Sequence, residues 1–186
     1  MQVIASLLKL QSHAVEEQEV KDILNESQNR VYAMSAVHEI LHGSENLAEI
    51  DLKVYLSKIT NTIFQSFLVS QTRIKLLKDI EDILISINQA SPLGLIVNEL
   101  VSNSLKHAFP EERKGIITIS VKCFDNQFEL LFKDNGIGIP DGFDWKNSGT
   151  LGLKLVRTLT ENQLDGTIEM ESKNGISFII KFNLET

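Results

Sequence analysis

A helical seam runs through the first 41 residues and sets the first constraint on the fold. Val3, Leu7, Leu10 and Ala14 stand four, three and four residues apart, the spacing that lines one face of a helix. After a short polar stretch from Ala14 to Glu17, the alternation resumes at Val20, Leu24, Ser27, Val31, Met34, His38 and Leu41, widened by Ile23, Val37 and Ile40. Gly43 supplies a natural stop. Two helices joined by so short a turn lie antiparallel. A hairpin of this length cannot bury its apolar face on a single partner, so residues 1–45 are expected to form a four-helix bundle with a second copy, as a homodimer. The periodicity begins at Val3 with no capping residue before it, so the helix is expected to continue upstream of residue 1.

From Asn46 the texture changes. Asp51 to Ser70 reads as an amphipathic helix through Val54, Leu56, Ile59, Ile63 and Phe67, and the runs RIKLL and ILISI read as short strands. Ser91 to Phe109 reads as a long helix with Pro92 in its first turn, where a missing N–H costs nothing. Ile117, Ile119, Val121 and Cys123 alternate as a strand, as do Phe128, Leu130 and Phe132. A glycine-rich loop from Gly136 to Gly149 leads into a helix over about 150–162, and TIEMES and ISFIIKF close the chain as strands. The expected class is α+β: the hairpin, then an α/β sandwich over 46–186 with helices on one face of a mixed, mostly antiparallel sheet.

The net charge of −7 and the scattered lysines and arginines argue against a nucleic-acid surface, which needs a basic face. The single cysteine, Cys123, excludes a disulfide framework and a multi-cysteine zinc site, and reads as a small apolar strand residue. No apolar run is long enough for a membrane segment, and the opening MQVIASLLKLQ lacks the basic leader of a secretory signal, so a cytoplasmic location is expected.

Three elements carry chemistry. In NELVSNSLKHAF, Glu99, Asn103, Lys106 and His107 recur at offsets of four, three and one, on one side of a helix whose other face is apolar. Carboxylate and amide oxygens suit Mg²⁺, and Lys106 or His107 can meet phosphate. In KDNGIGIP, Asp134 follows a strand and can accept from an exocyclic amine, while Gly136 and Gly138 let backbone approach a flat ligand. In SGTLGLKLV, Gly149 and Gly152 bracket a helix start with Thr150 near its cap, an anion-binding arrangement. Each alone has a bland reading: a solvated helix face, a tight turn, a plain capped helix. Half of the ten glycines fall within 17 residues, which favours a lid over a simple connection.

Taken in this order, the three elements resemble the ATP-binding domain shared by histidine kinases, gyrase, Hsp90 and MutL. The longer stretches ESQNRVYAMSAVHEILHGSENLAEIDLKVYL, PLGLIVNELVSNSLKHAFP, GFDWKNSGTLGLKLV and QLDGTIE look like one subfamily of sensor histidine kinases. In that subfamily the acceptor motif reads HHRVKNN and is followed at once by a segment like QVIASLLKLQS. The resemblance therefore puts the phosphoryl acceptor upstream of residue 1. His38-Glu39 looks like the start of the commoner acceptor motif, but that motif runs on to an arginine and a proline, and ILHGS has neither. His38 is read as a partly buried bundle histidine.

The resemblance implies ATP and Mg²⁺ as ligands. Asn103 would coordinate Mg²⁺ bridging the phosphates, and Glu99 would hold the metal's water shell or act as a water-activating base. Lys106 and His107 would contact phosphate, and Asp134 would pair with the adenine amino group between Gly136 and Gly138. Gly149, Thr150, Gly152 and Leu153 would serve the phosphates, with Phe143 and Trp145 pinning the lid. Ile176 stands where the family usually has a threonine near the adenine, with Ser177 beside it. The implied reaction transfers the γ-phosphoryl to a histidine for relay to a response-regulator receiver domain, under an upstream sensor domain. The rivals are a serine-directed anti-sigma-type kinase or ATPase on the same fold, and a non-catalytic nucleotide-binding dimerisation module.

Overall fold

The computed structural model describes residues 2–42, 49–67, 73–140, 142–145 and 151–185. The expected stop at Gly43 and the anion-site residues Gly149 and Thr150 lie outside the described residues, as does the side chain of His38.

Helices α1 (Gln2–Ala14) and α2 (Gln18–His42) pack together across a three-residue connection, as the seam predicts. Ile4, Leu7, Leu10 and Ile23 are each at least half exposed in the single chain. The other side of α2 does something the seam did not predict. Asn29, Ala33 and Ser35 are buried against the rest of the molecule, and Asn29 Nδ2 donates to Ser66 Oγ at 3.2 Å. Small and short polar residues carry this contact, so it leaves no apolar stripe in the sequence.

Strand β1 (Glu49–Asp51) runs directly into α3 (Leu52–Ser66), whose first turn is capped by Asp51 Oδ1 accepting from the Val54 N–H at 2.9 Å. The α3 core face is Leu52, Tyr55, Leu56, Ile59 and Ile63. Strand β2 (Ile74–Ile80) comes from RIKLL, whereas ILISI yields only β3 (Leu84–Ser86), which pairs antiparallel with β1 rather than joining the main sheet.

Helix α4 spans Ile87–Asn103, a full turn earlier than the sequence suggests. Ser86 is its cap, accepting from the Gln89 N–H at 3.3 Å, so Pro92 lies inside the helix rather than in its first turn. Its ring removes one ladder bond. The buried packing of Ala90, Leu93, Ile96 and Val97 around it holds the helix together across that gap. A π-turn, Ser104–Ala108, then widens the end of α4.

Strands β4 (Gly115–Phe124) and β5 (Gln127–Asp134) form a hairpin, followed by α5 (Leu151–Thr158), a second π-turn (Leu159–Gln163), and β6 (Thr167–Glu171) and β7 (Ser177–Asn183). The five-stranded sheet has the order β2-β4-β5-β7-β6; β2 and β4 are parallel and every other pair is antiparallel. Ile117, Ile119 and Val121, then Phe128, Leu130 and Phe132, then Phe178, Ile180 and Phe182 turn one face of the sheet into the buried core. The intervening positions are partly or fully exposed, as period-two alternation demands. Cys123 is half-buried on β4.

Candidate functional site

A cavity of about 790 Å³ opens between the end of α4, its π-turn, the segment after β5, the start of α5 and one side of α2. That volume suits a ligand of nucleotide size. Asn103, Lys106, His107, Asp134, Gly138, Phe143, Gly152 and Leu153 all line it. Residues from three separate stretches of sequence are thus brought to one place.

Asp134 anchors the inner end. It is 1% exposed, and its hydrogen bonds can be counted in full. Oδ1 accepts from the Gly136 N–H at 2.9 Å and the Ile176 N–H at 3.2 Å. Oδ2 accepts from the Ser104 hydroxyl at 2.6 Å. A carboxylate offers about four acceptor sites. One therefore stays open, on Oδ2.

The glycines are required by the close approach of backbone. A β-carbon at Gly136 would overlap Ala108, and Gly138 has φ +74. Gly175, at φ +110, lies so close to the Asp134 carbonyl that a side chain there has no room. It turns the chain so that Ile176 donates to Asp134 and receives the Asp134 N–H on its own carbonyl at 2.9 Å. Ile176 lines the cavity, whereas Ser177, the first residue of β7, is not among its lining residues. Leu100, Phe132, Ile139 and Phe178 supply apolar walls on which a flat ring can lie. Trp145 packs edge-on against Phe178, with ring centroids 5.8 Å apart, and so fixes the segment that carries Phe143 to the rim.

Glu99 occupies a different position from the one its helical row suggests. It is completely buried behind the cavity wall and does not line it. Arg30 of α2 reaches it with two hydrogen bonds, Nε to Oε1 at 2.7 Å and Nη2 to Oε2 at 2.8 Å. Asn98 Nδ2 also donates to Oε1 at 3.2 Å. The bonds to Glu99 raise the Arg30 pKa above its ordinary value, against the cost of burial. Arg30 Nη2 also meets Glu26 at 2.9 Å, and Glu26 in turn accepts from Lys106 Nζ at 3.1 Å. Lys106, Glu26, Arg30 and Glu99 thus form a chain of alternating charge that ties the cavity wall to α2. Gly152 leaves room for it: a β-carbon there would sit 2.7 Å from Glu99 Oε2.

His107 stands on the exposed side of the π-turn. Loss of solvent first, and the neighbouring Lys106 ammonium second, push its pKa below the ordinary value. Among the described residues, no group of three or more His, Cys, Asp or Glu side chains could hold a metal ion.

Ser104 and Arg30 are the site residues that sequence reasoning missed. Ser104 reads as a neutral helix-interior residue, and Arg30 lies 69 positions from its partner, so no local pattern marks either.

Comparison with known proteins now bears on this geometry. A family described as "Histidine kinase" matches residues 1–67, and one described as "Histidine kinase-, DNA gyrase B-, and HSP90-like ATPase" matches residues 88–186. The sensor histidine kinase PdtaS of Mycobacterium tuberculosis is 31% identical over 174 residues, covering 91% of this chain and 34% of the relative. The chain thus spans about a third of the length of that curated relative. An anti-sigma F factor of Clostridium novyi is 28% identical over 101 residues, covering 48% of this chain and 68% of that protein. Among solved structures, the histidine kinase domain of a blue-light activated histidine kinase from Erythrobacter litoralis has a TM-score of 0.79 at 23% identity. That likeness, which is one of fold, covers 99% of this chain and 96% of the other.

Proposed function

The chain belongs to the family of histidine kinase-, DNA gyrase B- and HSP90-like ATPases, as the core of a sensor histidine kinase. We propose that it binds Mg-ATP in the cavity and transfers the γ-phosphoryl to a histidine of the dimerisation helices, for relay to an aspartate on a response-regulator receiver domain. The observation that carries this reading is the pairing of Asp134, with one acceptor site open at the inner end, and Asn103 further along the same cavity.

The roles follow from the chain's own groups. Asp134 Oδ2 accepts from the adenine amino group, and the apolar walls hold the ring and exclude water. Asn103, which lines the cavity beside Gly152 at the start of α5, would hold Mg²⁺ through its amide oxygen. When bound there, the metal would supply neutralisation of the negative charge on the phosphates. Lys106 and His107 lie at the same end, and Lys106 reaches phosphate once it leaves Glu26. Both oxygens of Glu99 are engaged by Arg30 here, so Glu99 serves as a base or holds metal-bound water only after Arg30 moves. Gly149 and Thr150 are assigned to the phosphates from the sequence, with Gly152 and Leu153 beside them at the start of α5.

Residues 1–45 serve as the dimerisation and phosphotransfer hairpin and 46–186 as the ATP-binding domain. The exposed Leu7 and Leu10 on α1 support a second copy of the hairpin as partner. Among the described residues no helix is long and apolar enough to cross a membrane. Use of ATP as phosphoryl donor would suit a cytoplasmic location for this part of the protein, under a sensor domain elsewhere in the full protein. The rival reading, a serine-directed kinase, draws on the anti-sigma F factor likeness; the amino-terminal hairpin favours the histidine kinase.

Titration with ATP tests the nucleotide assignment. Asp134→Asn, which replaces the open acceptor with a group that also donates, should weaken ATP binding at least about tenfold. Asn103→Ala should abolish the dependence of binding on magnesium. Unchanged affinity in Asp134→Asn would place the nucleotide elsewhere.

A further inference from the structure

The inner end of the cavity has an uneven supply of hydrogen-bonding protons. The two backbone N–H groups that reach the Asp134 carboxylate, those of Gly136 and Ile176, are both spent on Oδ1. The Ser104 proton is spent on Oδ2, in a 2.6 Å bond short enough to be charge-assisted. Ser104 is 5% exposed, and both it and Asp134 line the cavity. A hydroxyl that has given its proton away has only lone pairs left to present. Toward the ligand, therefore, Asp134 Oδ2 and Ser104 Oγ are both acceptors.

We propose that Ser104 is a specificity-determining residue, fixing a wall of acceptors that admits a 6-amino purine nucleotide and rejects a 6-oxo one. The inference rests on the reading that the cavity takes ATP, and adds the residue that reads the base together with Asp134. An amino group brings two protons to these acceptors. A carbonyl oxygen in its place would face two oxygens and leave them desolvated and unpaired, which discriminates far more strongly than a missing contact. Ser104 could offer its proton to that carbonyl only by breaking its bond to a buried carboxylate.

The π-turn positions this group. It starts at Ser104, directly after Asn103, so consecutive residues serve the two ends of the ligand. An alanine at 104 would leave room for a water molecule beside Oδ2. Water reorients, donating or accepting as the ligand requires, and the wall would lose its fixed sense.

The test is equilibrium binding of ATP and of inosine triphosphate, which carries oxygen at the 6 position, to the wild-type chain and to Ser104→Ala, Ser104→Thr and Asp134→Asn. Wild type should favour ATP by about a hundredfold or more, the scale of a lost charge-assisted bond with an unpaired group. Ser104→Ala should weaken ATP about tenfold and narrow the ratio of the two nucleotides by at least that much. Ser104→Thr, which keeps the hydroxyl, should retain the wild-type ratio. If alanine unfolds the chain, Ser104→Cys gives the same reading at nearly constant volume with a much weaker donor. A wild-type ratio in Ser104→Ala or Ser104→Cys overturns the role of Ser104 while leaving the ATP reading intact. Undiminished ATP binding by Asp134→Asn overturns the ATP reading itself, and this inference with it.

Discussion

Replacing Arg30 with methionine keeps most of the side chain's volume and removes only its charge and its hydrogen bonds. Arg30 gives Glu99 two bonds of 2.7 and 2.8 Å, with 18% of the arginine side chain and 1% of the glutamate side chain exposed. In the variant, Glu99 would remain fully buried with the Asn98 amide as its neighbour and no cation beside it. Breaking a buried pair by removing one partner costs about 3–5 kcal/mol, because the other charge is stranded. The partial exposure of Arg30 puts the expected loss near the lower end, about 3 kcal/mol. Methionine at both Arg30 and Glu99 strands nothing, and should return to within about 1 kcal/mol of wild type. Urea unfolding followed by circular dichroism, at one fixed protein concentration so that self-association contributes equally to each, measures all four species of the cycle. The expected coupling energy is at least about 2 kcal/mol. A loss below about 1 kcal/mol in Arg30→Met, or additive losses in the double variant, would mean that the pair does not hold α2 on the ATP-binding domain.

Two further predictions concern the phosphate end of the cavity. Glu26→Ala frees Lys106, and since a partly exposed pair is worth up to about 1 kcal/mol, ATP affinity should rise up to about fivefold; unchanged affinity would remove Lys106 from the phosphate contacts. His107 has a folded-state pKa below its unfolded one, so the unfolded chain binds the extra proton first. Stability should fall as pH drops through about 6.5 toward the lower folded value, and be fully present above that range. His107→Gln should flatten this part of the stability–pH curve, and a slope that persists in the variant would refute the assignment.

The legible parts of the fold are those with a local period. Alternation marked β4, β5 and β7 because each buries one face, and the three-and-four spacing marked α1 and α2. That Asn103, Asp134, Gly138 and Gly152 would meet at one cavity was legible because they lie in three short segments whose chemistry is compatible only when taken together. Pro92 was misplaced because Ser91 and Ser86 are equally good caps on paper, and only the packing of Ala90 and Leu93 decides between them. The π-turn is a property of hydrogen-bond spacing and has no residue signature. The contact of α2 with the ATP-binding domain rests on Asn29, Ala33, Ser35 and the pair of Arg30 with Glu99. Such long-range polar contacts have no period to read. The same holds for Ser104, whose meaning depends wholly on the carboxylate it faces 30 positions away.

The most direct test of the kinase reading is the fate of the γ-phosphoryl. The chain is incubated with magnesium, γ-labelled ATP and a second copy extended ahead of Met1 by an acceptor helix of the family. Label is expected on that second copy, labile in acid and stable in alkali as a phosphohistidine is, and absent when Asn103 is replaced by alanine. Acid-stable label would indicate transfer to a hydroxyl instead, and tight ATP binding with no label on either copy would contradict a kinase.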